Sequence, residues 1–246
     1  MARPRRTWGQ RILIGFNCLL VVICVAAAAG LYYADRSVSE VPRLALGSAL
    51  ADEKPASEPQ NILLVGVDDS SDLAEDDPVL RGRGGEKNTD TIMILRVDPA
   101  SDQAHLLSLP RDLWVEIAST GKNDKINSAQ ALGGPENLIA TIRNNFGIEI
   151  DHYAQVNLAG FKDLVAAVDG VPVYFPWPAR DTHSGLAIDN PGCVTLDPDQ
   201  ALALARSRYF EKLEDGRWRQ DPISDLGRIQ RQQTFMRAAL KRAISK

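Results

Sequence analysis

Arginine is the residue whose placement here most invites a chemical reading. Arg111 stands in SLPRD, Arg206 and Arg208 in ARSRY, and Arg228 and Arg231 in DLGRIQRQQ. A guanidinium presents a planar fork of donors that matches two phosphate oxygens at once, so several converging on one point suit a diphosphate better than a carboxylate. In DLGRIQRQQ, helical spacing puts Asp225, Arg228 and Gln232 at i, i+3 and i+7 on one face, with Arg231 on the same side. A solvated face on which Asp225 pairs with Arg228 has the same spacing. Arg206 and Arg208 point one way if the chain is extended between them.

The carboxylates come next. Asp68 follows the apolar run NILLVGV (Asn61 to Val67), and Asp90 opens DTIMILRVD (Asp90 to Asp98). If these runs pair as an antiparallel hairpin, the two acids become neighbours. Two carboxylates beside a phosphate site suit Mg2+, which takes one or two protein carboxylates and completes its shell with water and phosphate oxygens. A polar loop rim accounts for the same residues, because the segment between them is itself rich in acid. Lys125 and Asn127 in KINSA are weaker signals, a loop lysine being commonly just solvated. His105, His152 and His183 are widely spread, and Cys18 and Cys24 lie in the apolar N-terminal stretch, which leaves Cys193 alone in the soluble part. That pattern offers no intradomain disulfide, no thiol-based or His-rich metal site and no activated nucleophile.

The elements that must position these groups are legible in outline. NILLVGV reads as a buried strand whose C-terminal end carries polar chemistry, and DTIMILRVD as the next strand. The Gly- and acid-rich stretch Asp69 to Asn88 between them reads as a mobile loop. AHLLSLPRDLWVEI (Ala104 to Ile117) is expected as a third strand broken at Pro110. Helices are expected over Pro135 to Gly147 and Leu158 to Gly170, and strands over His152 to Asn157 and Val171 to Pro176. Asp197 is placed to cap a helix that starts at Pro198, and Asp225 to Ile244 supplies a long final helix. Strands alternating with helices predict an α/β/α sandwich. The close succession of the second and third strands predicts antiparallel pairing, hence a central mixed β-sheet.

Ahead of this lies Ile12 to Tyr33, 22 residues without a charge. At about 1.5 Å per helical residue this spans a hydrocarbon core of about 30 Å. Arg3, Arg5, Arg6 and Arg11 precede it, so residues 1–11 are expected as a cytoplasmic tail, 12–33 as a transmembrane signal-anchor helix, and everything beyond as extracellular. A cleaved signal peptide is the alternative, with small residues at Ala26 to Ala29, but such apolar regions run only about 7 to 15 residues. Residues 34–60, polar and punctuated by Pro42, Pro55 and Pro59, read as an extracellular linker that leads into a domain over 61–246.

Composition sets the remaining bounds. The chain has 246 residues, 44% hydrophobic and 24% charged, which fits one folded domain with a substantial core. Net charge is −4, but residues 206 to 246 carry a local +6, from 11 basic and five acidic side chains. An acidic total and no recognition-helix module disfavour a nucleic-acid binder. A local basic site for an anionic ligand stays open.

Read together, NILLVGVD, NTDTIMILRVD, LLSLPRDLWVEI, KINSAQALGG, FGIEIDHYAQVNLAGFKDLVAAVDGV, LDPDQALALARSRY and DLGRIQRQQ resemble the signature blocks of the LytR-CpsA-Psr family, in the family's order, from about Asn61 to about Gln233. The resemblance implies an α/β/α sandwich that binds a polyprenyl-diphosphate-linked glycan, with the lipid in an apolar pocket. It implies transfer of the glycan phosphate to a hydroxyl of peptidoglycan at the cell membrane, releasing polyprenyl phosphate. By motif position, Asp68 and Asp90 resemble the family's Mg2+ and diphosphate carboxylates. Arg111, Arg206, Arg208, Arg228 and Gln232 resemble its diphosphate-binding set, with Lys125, Asp225 and Arg231 as further members; Asp90 and Arg111 are the expected catalytic residues. The family often has an arginine where Asn88 stands, so a loop arginine, Arg81 or Arg83, is a candidate replacement. Relatives often continue past the RQQ helix, and the short continuation to Lys246 bears on how the lipid pocket closes. A non-catalytic polyprenyl-diphosphate scaffold and a pyrophosphatase using water as acceptor are the competing readings. A DNA-binding regulator is opposed by the expected topology.

Overall fold

The computed structural model describes residues 42–69, 72–73 and 89–245, except for the side chains of Ser224 and Asp225. The expected cytoplasmic tail and anchor helix, Cys18, Cys24, Arg81, Arg83, Asn88 and most of the expected Asp69–Asn88 loop lie outside the described residues. Among the described residues, no helix is long and apolar enough to cross a membrane.

The central sheet has the strand order β3-β2-β1-β6, built from β1 (Gln60–Val67), β2 (Thr89–Asp98), β3 (Gln103–Leu109) and β6 (His152–Val156). β2 runs antiparallel to both β1 and β3, while β6 runs parallel to β1, so the sheet is mixed. Alternation along the strands divides their side chains between two layers. Leu63, Val65, Ile92 and Ile94 are buried on one face with Leu138, Ile139 and Ile142 of α1 (Ile126–Phe146). Ile62, Leu64, Met93 and Leu95 point to the other face, toward α2 (Leu158–Ala167) and α4 (Ser224–Ile244). Helices therefore cover both faces, in an α/β/α arrangement.

Local chemistry explains where elements start and stop. α1 is broken at Gly133 and Gly134, the latter with φ 68°, and restarts at Pro135, where the sequence predicts a helix start. Gly147, left-handed at φ 65°, ends it. The Asn157 side chain caps α2 by accepting from the Gly160 N–H, and Asp197 caps α3 (Pro198–Arg206) by accepting from Gln200.

Two expectations are corrected. The third strand does not resume in the same sheet after Pro110. β4 (Trp114–Ile117) instead pairs with β5 (Lys122–Lys125) in a separate hairpin, because the Pro110–Leu113 turn, closed by a Leu113 N–H bond to the Pro110 carbonyl, redirects the chain. Part of the stretch read as linker also belongs to the domain. Leu46 is buried in the first core, with Ala49 and Leu50 packed against it, and Lys54 reaches Asp151 at 2.6 Å. Leu46–Lys246 accordingly forms one compact unit.

A second core lies under α3 and α4. It joins Leu204 and Phe235 to β7 (Val171–Phe175), β8 (Ala179–Asp181), β9 (Leu186–Ile188) and β10 (Gly192–Leu196). β7 pairs with β10. β8 and β9 extend into a four-stranded sheet with β11 (Glu211–Glu214) and β12 (Arg217–Gln220), in the order β12-β11-β8-β9.

Candidate functional site

Asp90 owes its position to an irregularity in the ladder. Gly66 pairs with Thr91 and Val67 with Thr89, so Asp90 is an extra residue on β2. A bulge of this kind re-aims a side chain, a common device beside functional sites. The Asp90 carboxylate bridges two guanidiniums: Arg111 Nη1 donates to Oδ1 at 2.5 Å and Arg208 Nη2 to Oδ2 at 3.2 Å. Asp68, directly after β1, lies at the same end of the sheet, and both acids line one cavity.

Arg111 is held from behind. Its carbonyl accepts from the Asn127 N–H at 3.2 Å, which gives the KIN segment a role in placing the SLPRD turn. Its Nε donates to Asp112 at 3.3 Å, and Asp112 also pairs with Lys125 at 2.7 Å. The Lys125 ammonium, with Arg111 adding to it, outweighs partial burial and keeps the Asp112 carboxyl below the usual range. Lys125 thus stands one residue removed from Arg111 rather than beside Asp90.

Arg206 and Arg208 flank a serine that is fully buried. Arg206 is the last residue of α3 and lines the cavity, whereas Arg208, beyond extended Ser207, turns to Asp90. Ser207 is pinned by the buried Asp181, which accepts from its hydroxyl at 2.7 Å, from Tyr209 N–H at 2.8 Å, and from His183 and Ser184 N–H at 2.9 and 3.1 Å. Burial pushes the Asp181 carboxyl up, but these four donors outweigh it and the net shift is downward.

On α4, Arg228 is buried and lines the cavity with Gln232. The Gln232 amide donates to the Ala205 carbonyl at 2.8 Å and to Thr91 Oγ1 at 3.2 Å, fastening α4 to α3 and β2. Arg231 points elsewhere. It pairs with Asp221 at 2.6 Å, donates to the Ser207 carbonyl at 3.0 Å, and lies 4.4 Å over the Phe210 ring. Burial pushes its pKa down against the pull of Asp221. Gly227 makes room for this pair, because a Cβ there would sit 2.2 Å from the Asp221 carboxylate. The side chain of Asp225 lies outside the described residues.

These groups border a cavity of about 390 Å3 between the sheet and helices α2 and α4. Ile62, Leu64, Met93, Phe161, Phe235 and Leu240 give it an apolar lining, and it turns polar where Asp68, Asp90, Arg206, Arg228 and Gln232 meet. A narrow cleft lined by Asp90, Arg228 and Gln232 as well continues toward Arg111. The volume falls in the range of small-molecule sites. An apolar chamber ending in converging guanidiniums fits an amphipathic ligand with a multiply charged anionic head.

Sequence reasoning missed Asp181, Asp221 and Asp112, which anchor the arginines. Asp181 had one local signal, an Asp before the turn residues of DTHSG, whose side chain bonds backbone N–H groups two and three residues on.

The fold and site define a class of α/β/α proteins with an apolar chamber that ends in an arginine–carboxylate mouth. Within it, the chain belongs to the LytR_cpsA_psr family, whose model matches residues 34–246. A polyisoprenyl-teichoic acid–peptidoglycan teichoic acid transferase TagU of Enterococcus faecalis is 31% identical over 239 residues, covering 95% of this chain and 71% of that protein. The TagU of Bacillus cereus is 36% identical over 187 residues, covering 76% of this chain and 53% of that protein. The chain thus spans about half the length of the Bacillus relatives it matches. Among solved structures, the LytR-CPS2A-psr family protein YwtF (TagT) with bound octaprenyl pyrophosphate lipid shares the fold, with a TM-score of 0.60 at 24% identity over 83% of this chain and 74% of that one.

Proposed function

We propose that this protein transfers a glycopolymer phosphate from a polyprenyl-diphosphate carrier to a hydroxyl of peptidoglycan and releases polyprenyl phosphate. The observation that carries the reading is the junction at Asp90, where the apolar cavity meets Arg111, Arg206, Arg208 and Arg228. A prenyl tail in the chamber delivers its diphosphate to that junction. The names of the TagU relatives support the same substrate class.

The acceptor hydroxyl oxygen attacks the glycan-linked phosphorus, and the bond from that phosphorus to the bridging oxygen breaks. The prenyl phosphate leaves with the electron pair. Positioning and charge neutralisation supply most of the catalysis in such a transfer. The arginines hold the phosphate oxygens bidentately, and an arriving diphosphate replaces Asp90 as the anionic partner of Arg111 and Arg208. Asp90 is then available to orient the acceptor hydroxyl or take its proton. Asp68 and Asp90 are also the residues that would hold Mg2+. Two carboxylates at a phosphate site match its oxygen-donor preference, and its contribution when bound is to neutralise phosphate charge. The same reading puts the domain outside the cell membrane, tethered by the apolar segment 12–33.

The test is to incubate the full chain in detergent with a polyprenyl-diphosphate oligosaccharide, peptidoglycan fragments and Mg2+, and to analyse the products by mass spectrometry. A glycan phosphodiester on the fragment, absent with Asp90→Ala and Arg111→Ala, is the expected result. Lipid binding with neither that product nor polyprenyl phosphate gives the scaffold reading. Free glycan phosphate with no fragment adduct gives a pyrophosphatase.

A further inference from the structure

Three tryptophans fall among the described residues, and two carry a cation over the ring. Arg180 lies 4.1 Å from the Trp218 centroid and Lys212 lies 4.8 Å from that of Trp177. Trp114 is different. It is 63% exposed, the highest of the three, and no cation or ring contact is formed by it among the described residues. Lys125 stands directly across the ladder, where a cation could cover the indole, but its ammonium is engaged by Asp112 at 2.7 Å. Alternation on β4 sends Val115 and Ile117 into the core and leaves Trp114 and Glu116 outside, with Lys125 and Asn123 opposite them on the same face. The hairpin's packing therefore does not need the indole, whose ring faces are left open to an occupant.

Position identifies that occupant. The Arg111 end of the site lies beyond Asp90 from the apolar chamber, since Arg111 lines the narrow cleft and not the cavity. A continuous run of charged contacts leads outward from Asp90 to Arg111, Asp112 and Lys125, ending at the residue that faces Trp114. A ligand whose tail fills the chamber and whose diphosphate sits on the arginines sends its next group outward. In a diphosphate-linked glycan that group is a sugar. One face of a pyranose ring presents C–H groups that lie flat on an aromatic ring, while its hydroxyls project toward polar neighbours. Trp114 supplies the aromatic face, and Glu116, Asn123 and Lys125 supply the polar surround.

We propose that the β4–β5 hairpin is a saccharide subsite in which Trp114 stacks on the sugar linked to the diphosphate of the donor. This inference rests on the proposed function and adds a contact outside the arginine cluster. The experiment measures binding of the full chain in detergent to two lipids of equal prenyl length, bare polyprenyl diphosphate and polyprenyl diphosphate bearing a disaccharide. Wild type is expected to bind the glycosylated lipid more tightly. Trp114→Ala is expected to lose about tenfold in affinity for it, with binding of the bare lipid unchanged, while Trp114→Tyr retains most of the difference. Equal affinity of wild type for both lipids overturns the inference, as does an equal loss on both lipids in Trp114→Ala. Unchanged donor binding with a raised KM for peptidoglycan fragments assigns the ring to the acceptor and overturns it too. If wild type binds neither lipid, the functional reading itself fails; if it binds both alike, only this inference does.

Discussion

At the scale of single residues, the site is an anionic centre shared by cations. Asp90 takes one hydrogen bond on each carboxylate oxygen from arginines that lie 97 residues apart in the chain, Arg111 and Arg208. Arg111 divides its fork between two carboxylates, with Nη1 on Asp90 and Nε on Asp112. A lysine at that position offers a point charge and no second rigid donor. Arg111→Lys is therefore expected to remain folded and to lose transfer by about 10²-fold or more, the scale of deleting one preorganised donor. Initial rates of polyprenyl phosphate release check this, and near-normal turnover would remove Arg111 from the phosphate site. The arginines that meet at the cavity and its cleft were legible as residue types in ARSRY, SLPRD and GRIQRQQ. Their division of labour was not. Helical spacing puts Arg231 near Arg228, but which side packs on Phe210 and Asp221 depends on β11 and the turn before α4, segments without a periodic pattern.

At the scale of elements, the arginines depend on a buried clasp. Asp181 ends β8 and holds Ser207 and Tyr209, so it fixes the segment that carries Arg208 beyond the end of α3. Its folded pKa lies below the ordinary value. A carboxyl depressed on folding contributes stability that is present above its unfolded pKa of about 3.9, and that contribution is lost as pH falls through the folded pKa. Asp181→Asn removes the charge and turns an amide toward backbone donors, at a cost of about 2–3 kcal/mol at pH 7. Urea unfolding across pH 3 to 7 measures this. The gap between wild type and variant is expected to narrow below about pH 4, whereas a gap independent of pH would mean that Asp181 is not the ionised acceptor. The long elements were readable because burial imposes a period on them, as in β1, β2 and α4. The β8–β9 and β11–β12 hairpins have strands of three or four residues, too short for alternation to be read. The helix read from Pro135 onward is also preceded, across the break at Gly133 and Gly134, by a helical segment over 126–132 that the sequence pattern did not mark.

At the scale of the whole molecule, the two faces of the central sheet do different work. Leu63, Val65, Ile92 and Ile94 are committed to the core beneath α1, while the opposite face is left lining a chamber. An apolar surface kept open in this way is costly unless a ligand covers it, and the alternation that buries one set of residues necessarily presents the other. The chamber and its charged end are separable along β1. Ala154 pairs with Leu64, four residues before Asp68, which at about 3.3 Å per residue puts it roughly 13 Å from the acidic end. Ala154 lines the cavity and is itself exposed, so a larger side chain has room to enter without disturbing the core. Ala154→Trp is expected to fold normally and to weaken polyprenyl diphosphate binding by about tenfold or more, because the indole occupies space and apolar surface that the prenyl chain uses. Affinity for inorganic pyrophosphate, which needs only the arginines, is expected to stay unchanged. Titration calorimetry with both ligands separates the two ends of the site. A variant that keeps wild-type affinity for the lipid would show that the tail lies outside the chamber, and one that loses both ligands alike would show that the chamber and the arginines cannot be disturbed independently.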